Sequence, residues 1–98
     1  VWIQYEITLS TPTPRRLAAA CAMNENQVIL FGGQDLRRNQ NDMYSFNLVD
    51  KKWTKIVTDV YSSVIPESRH SHCMVRFNNA LLVFGGFSTK ALNDLWMY

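Results

Sequence analysis

Two short apolar runs, Val28-Ile29-Leu30-Phe31 and Leu81-Leu82-Val83-Phe84, each end in a glycine pair, Gly32-Gly33 and Gly85-Gly86, 53 positions apart. Runs of this length, branched and aromatic and stopped by glycine, read as buried β-strands. The glycines allow the positive φ that an abrupt exit from a strand requires. The rest of the chain alternates around these two runs. Val1, Ile3, Tyr5 and Ile7 alternate with Trp2, Gln4 and Glu6, which predicts a strand over Val1 to Ile7. Thr8 to Pro14 is loop-like, with two prolines. Leu17 to Met23 is small and apolar and has the alanine content of a helix. The turn at Asn24-Glu25-Asn26 and the strand directly after it favour a hairpin instead. Gln34 to Asn41 reads as a polar loop. Asp42 to Leu48 reads as a third strand, with Met43 and Ser45 on one face and Tyr44, Phe46 and Leu48 on the other. After a polar turn at Val49 to Lys52, Trp53 to Val57 makes a fourth strand, and Thr58 to Ser68 another loop.

The pattern then restarts. His70 to Phe77 matches Leu17 to Asn24, Ala80 to Phe84 matches Gln27 to Phe31, and Asn93 to Tyr98 matches Asn41 to Phe46 after a one-residue deletion, with a loop over Phe87 to Leu92. Trp2 precedes Arg16 by 14 positions as Trp53 precedes Arg69 by 16, so Val1 to Ile7 stands where the last strand of an earlier unit would be. The predicted fold is all-β. Residues 1–7 are the last strand of a preceding blade, 15–57 one full four-stranded antiparallel blade, and 69–98 the first three strands of the next. An internal repeat of about 50 residues with four strands per unit is the signature of a β-propeller. Such a sheet has two apolar faces that it cannot bury alone.

At these residues the chain resembles the kelch repeat. That family carries a Gly-Gly pair after an apolar strand, then a Tyr and a Trp. Here Gly32-Gly33 is followed by Phe46, in the Tyr position, and Trp53; Gly85-Gly86 is followed by Tyr98. The family's Pro-x-x-Arg-x-x-His opening is present as Pro66 through His72, with Arg69 and His72 in register. The first unit aligns Arg16 with Arg69 and Ala19 with His72. The resemblance implies a propeller of several blades, of which this chain supplies fewer than two. It is therefore expected to be part of a longer protein, with a ring of several copies as the alternative. The implied role is a non-enzymatic interaction module or scaffold that binds a protein partner, such as cytoskeletal or ubiquitin-ligase components. The alternatives are an enzyme of the copper-oxidase type and a purely architectural subunit.

Composition narrows the chemistry. The 98 residues carry a net charge of +2, which does not describe a nucleic-acid binder, and no run approaches the roughly 20 apolar residues of a membrane span. Cys21 and Cys73 have no metal-ligand spacing and read as buried free thiols; with the absence of an Asn-x-Ser/Thr sequon they point to a cytoplasmic protein. No cofactor is expected. The glycine pairs are followed by polar loop, not by the helix a phosphate loop needs. His70 and His72, two apart on a predicted strand, would face the same way, but a third metal ligand is lacking. Trp2, Tyr44, Phe46, Trp53, Trp96 and Tyr98 are expected to pack between blades. Arg16 and Arg69 are expected to pair with backbone or with an acid such as Asp42 or Asp94. In an up-and-down blade the loop between units and the loop after Gly-Gly emerge at one end. That places Arg15, Arg16, Arg37 and Arg38 together, a basic patch suited to an acidic or phosphorylated partner segment.

Overall fold

The computed structural model describes residues 1–57 and 64–98. Among them are seven strands: β1 Ala19–Asn24, β2 Gln27–Phe31, β3 Met43–Asn47, β4 Lys52–Ile56, β5 Cys73–Phe77, β6 Ala80–Phe87 and β7 Ala91–Met97. They form two antiparallel sheets in the orders β1-β2-β3-β4 and β5-β6-β7. The segment with alanine content is a strand, as the hairpin reading requires. The predicted loop over Thr58 to Ser68 lies partly outside the described residues.

The sheets stack face to face on the apolar positions that alternation selects. Ile29, Phe31 and Met43 of the first sheet form one buried cluster with Met74, Leu81 and Val83 of the second; Ala19, Cys21, Met23, Ile56 and Trp96 close its margins. Fully burying a side chain such as Leu81 stabilises by about 1.5–3 kcal/mol. Main-chain bonds join the sheets beyond this core. Gly33 N donates to Arg69 O, Arg69 N to Gln40 O, and Ser71 N to Leu17 O.

The two units superpose with a changing offset. Arg15 and Arg69 make equivalent bonds 54 residues apart, Gly32 and Gly85 equivalent turns 53 apart, and Asp42 and Asp94 equivalent ion pairs 52 apart. The first step comes from a register shift between Ala22 and Asn24, which places one extra residue in β1. Arg15, not Arg16, is therefore the counterpart of Arg69. Ala18, not Ala19, is the counterpart of His72: Gly33 lies against Ala18 as Gly86 lies against His72. Phe46 and Tyr98 are equivalent as expected, since each faces the start of its central strand.

Other expectations change as well. Val1 to Ile7 joins no ladder among the described residues, because no neighbouring strand offers it hydrogen-bond partners. Tyr5 alone of this segment meets an aromatic ring, Phe46, at 5.2 Å between centroids. Trp2 is 101% exposed and packs between no sheets. Both glycine pairs take positive φ, +70° and +96° at Gly32 and Gly33 and +69° and +93° at Gly85 and Gly86. Only the first pair ends its strand. β6 continues through Gly85-Gly86 to Phe87, because a tight connection returns Ala91 and Leu92 as partners. Cys21 and Cys73 are free thiols, but Cys73 is exposed, on the sheet face that nothing described covers.

Candidate functional site

The β2–β3 connection is not an irregular loop. Gln34 and Asn39 form an isolated antiparallel bridge, and Asp35 N donates to Arg38 O, closing a four-residue turn over Asp35-Leu36-Arg37-Arg38. The Asp35 carboxylate locks it from within. Its Oδ1 accepts the amides of Arg37 and Arg38 at 2.9 and 3.0 Å, and its Oδ2 accepts from Thr13 Oγ1 at 3.1 Å and Gln40 Nε2 at 2.7 Å. Those bonds, the Arg37 amide first and the Arg38 amide next, bring the carboxyl down to about 2. The aspartate at the start of an Asx turn explains this local fold. Leu36, Arg37 and Arg38 stand out from the turn into solvent.

The segment between Thr13 and Leu17 lies beside it at the same end, tied through a bridge between Arg16 and Gln34. The structure thus brings Arg15, Arg16, Arg37 and Arg38 around one open cleft of about 700 Å³, and a second cleft of about 490 Å³ adds Tyr44 and Lys55. Five cations against Asp35 and Asp42 leave this surface at +3.

The four arginines are not equivalent. The Arg15 side chain is buried, 6% exposed: its Nη1 donates to Asp42 Oδ1 at 2.6 Å and to Gly32 O at 3.0 Å, and its guanidinium lies 5.7 Å from the Tyr44 ring centre. It holds the glycine turn to β3 and is structural. The sequence reading gave Arg16 that task, through the one-residue slip. Arg16 instead reaches the neutral Gln34 Oε1 at 2.9 and 3.1 Å and keeps its charge at the surface. Among the described residues the Arg37 and Arg38 side chains have no hydrogen-bond or ion-pair partner.

The second unit repeats the buried clasp without the basic patch. Arg69, 0% exposed, donates to Asp94 Oδ1 at 2.6 Å and Oδ2 at 2.8 Å, and to Gly85 O at 3.0 Å. The Arg69 guanidinium beside Asp94 holds its carboxyl well below the usual carboxylate range, helped by the Trp96 indole N–H. The corresponding cleft is lined by Glu67, Lys90 and Asp94.

The histidines do not form a pair. Ser71 has φ +60°, which breaks the strand alternation between them. His70 turns outward to Ser71 Oγ and the Phe87 ring, while His72 turns inward and meets Phe31 O through Nε2 at 2.8 Å. His72 Nδ1 is buried without a partner, and burial lowers the imidazole's proton affinity. Among the described residues no group of three His, Cys, Asp or Glu is placed to hold a metal ion, and no helix is long and apolar enough to cross a membrane. Of the aromatics, Trp53 packs edge-on against Phe46 and Tyr44 within its own sheet.

The repeated Arg–Asp clasp, the glycine turn and the stacked four-strand sheet agree with one family, the KLHDC2/KLHL20/DRC7 Kelch-repeats domain, which matches residues 1–98. The chain belongs to the kelch-repeat family. It is 31% identical over 93 residues to the flagellar outer-arm dynein alpha chain of Chlamydomonas reinhardtii, covering 93% of this chain and 2% of that one. It is 32% identical over 101 residues to Kelch domain-containing protein 2 of Bos taurus, covering 100% of this chain and 24% of that protein. It is 32% identical over 82 residues to N-(sulfonatooxy)prop-2-enimidothioate sulfolyase of Thlaspi arvense, covering 84% of this chain and 23% of the enzyme. The kelch chain thus spans under a quarter of the length of these relatives. A dynein chain, a Kelch domain-containing protein and a sulfolyase on one repeat show that the fold alone does not choose the activity.

Proposed function

We propose that this kelch segment works as part of a protein-interaction module, without catalysis of its own, in which the loop end of the first blade receives an acidic or phosphorylated segment of a protein partner. The observation that carries this reading is the pair of exposed, unpartnered side chains Arg37 and Arg38 on a hydrogen-bonded turn, with Arg16 and Lys55 on either side. A fixed turn sets where the two arginines leave the backbone before the partner arrives, so little backbone ordering entropy opposes binding. Guanidinium groups match carboxylate and phosphate oxygens in a planar, two-point geometry. Arg15, tied to Asp42 and to Gly32 O, takes no part in binding and holds the glycine turn. Cytoskeletal and ubiquitin-ligase components remain within the partner class, and the free cysteines accord with a cytoplasmic setting.

The test is the double charge reversal Arg37→Glu with Arg38→Glu in the intact protein. Binding to a fluorescent glutamate-rich peptide and to its phosphoserine counterpart is read by anisotropy at low and physiological salt. Affinity for at least one peptide is expected to fall about tenfold or more, and wild-type binding to weaken with salt, as for exposed charges screened over about 8–10 Å. Equal affinity of variant and wild type for both peptides rejects the proposal.

A further inference from the structure

Leu36 is the largest anomaly on this surface. It is 104% exposed, yet it sits inside a turn held by four bonds to the Asp35 side chain, between Asp35 and the two arginines. Exposed leucines on irregular loops need no explanation. Here the backbone on both sides is fixed by the Gln34–Asn39 bridge, the Asp35 N to Arg38 O bond and four bonds to the Asp35 carboxylate. The turn fixes where Leu36 leaves the backbone, and the residue lines both adjoining clefts because the turn is the ridge between them. The equivalent connection in the second unit, at Ser88 to Lys90, presents no leucine. An apolar group in solvent, lining the same cleft as Arg37, Arg38, Lys55 and the half-buried Tyr44 ring, has the make-up of an interface centre: an apolar anchor within a charged rim.

The geometry points to a specific ligand for this site: an acidic segment that also carries a large apolar side chain among its carboxylates, seated so that this side chain covers Leu36 against Tyr44 while the carboxylates meet Arg37, Arg38 and Lys55. This inference rests on the basic surface proposed above and narrows it. Charge supplies steering and register, and the Leu36 contact supplies much of the affinity. A purely anionic ligand, phosphorylated or not, leaves Leu36 in water and gains nothing from it.

Two peptides of equal charge separate the two claims. One bears a leucine and a tryptophan between glutamate pairs; the other has glycine and serine there. Both are titrated into the intact protein and into Leu36→Ala, Leu36→Asp and the Arg37→Glu, Arg38→Glu variant. The apolar peptide is expected to bind the wild type about tenfold more tightly, the order expected for covering one leucine. Leu36→Ala is expected to erase that preference while leaving the glycine–serine peptide's affinity within about twofold. The charge reversal is expected to weaken both. Because Leu36 is fully exposed, Leu36→Ala and Leu36→Asp are expected to keep the wild-type melting temperature. If the wild type binds both peptides equally, the inference fails and the basic docking surface stands. If neither peptide binds, both fail.

Discussion

His72 Nε2 lies 2.8 Å from the carbonyl oxygen of Phe31 and ties the second sheet to the first. The carbonyl can only accept, so Nε2 carries the proton and Nδ1 is left as a buried lone pair with no partner. A second proton would have to sit on Nδ1, in an apolar seam near the charges of Arg69 and His70.

Stability should therefore depend on pH around this group. Burial lowers the folded-state pKa below the ordinary value of 6.5, so the unfolded chain binds the proton first. Stability is full above the unfolded value and falls as pH drops through 6.5 towards the folded value, with a slope of at most about 1.4 kcal/mol per pH unit. Urea unfolding of the protein between pH 8 and 5 measures it. His72→Gln, which retains an N–H donor, should flatten that slope; an unchanged slope in the variant refutes the assignment.

Arg69 is wholly buried and balanced by Asp94. Asp94→Ala leaves that guanidinium without its carboxylate, and because the Asp94 side chain is 34% exposed the expected loss in the urea midpoint analysis is about 1–3 kcal/mol. The sign follows from desolvation, not from the attraction itself. A loss below about 1 kcal/mol would mean that water reaches Arg69.

Gly33 and Gly86 tolerate no side chain. A Cβ at Gly33 would lie 2.8 Å from Ala18 Cβ and 3.0 Å from Arg16 O, and at Gly86 2.6 Å from His70 O. Their positive φ alone makes alanine cost about 1–3 kcal/mol, to which these backbone clashes add. Gly86→Ala should be the more damaging, since a carbonyl of the main chain must move. Paired thermal melts rank the two.

Asp35→Ala removes four hydrogen bonds from the Asp35–Arg38 turn without touching the core. The expected result is a small change in melting temperature but faster hydrogen exchange at the Arg37 and Arg38 amides. Because the carboxyl sits at about 2, its stabilisation is full above the unfolded value near 3.9 and is lost progressively as pH falls from there through about 2. Exchange rates that match the wild type would show that the backbone holds the turn unaided.

Most of the strand order was legible because alternation and glycine placement are local signals. Val28 to Phe31 and Leu81 to Phe84 could be little else once the repeat was seen. The buried clasp was half legible: Asp42 and Asp94 were expected as partners, but a fixed offset from the glycines pointed to Arg16. The extra residue in β1 is a backbone irregularity that leaves no compositional mark. The same kind of blindness hid the histidine geometry, since nothing in the letters His-Ser-His announces a positive φ at Ser71. The Asp35 turn did carry a signal, an aspartate two residues before the amide it binds, which reads as plain loop until the return partners are known.

Arg69 gives its side chain to its own sheet and its main chain to the neighbour: its carbonyl receives Gly33 N, and its amide reaches Gln40 O. A force that drew the blades apart would load a residue riveted in both. The seam would then rupture as a single event instead of peeling strand by strand, and neighbouring blades would share one mechanical fate.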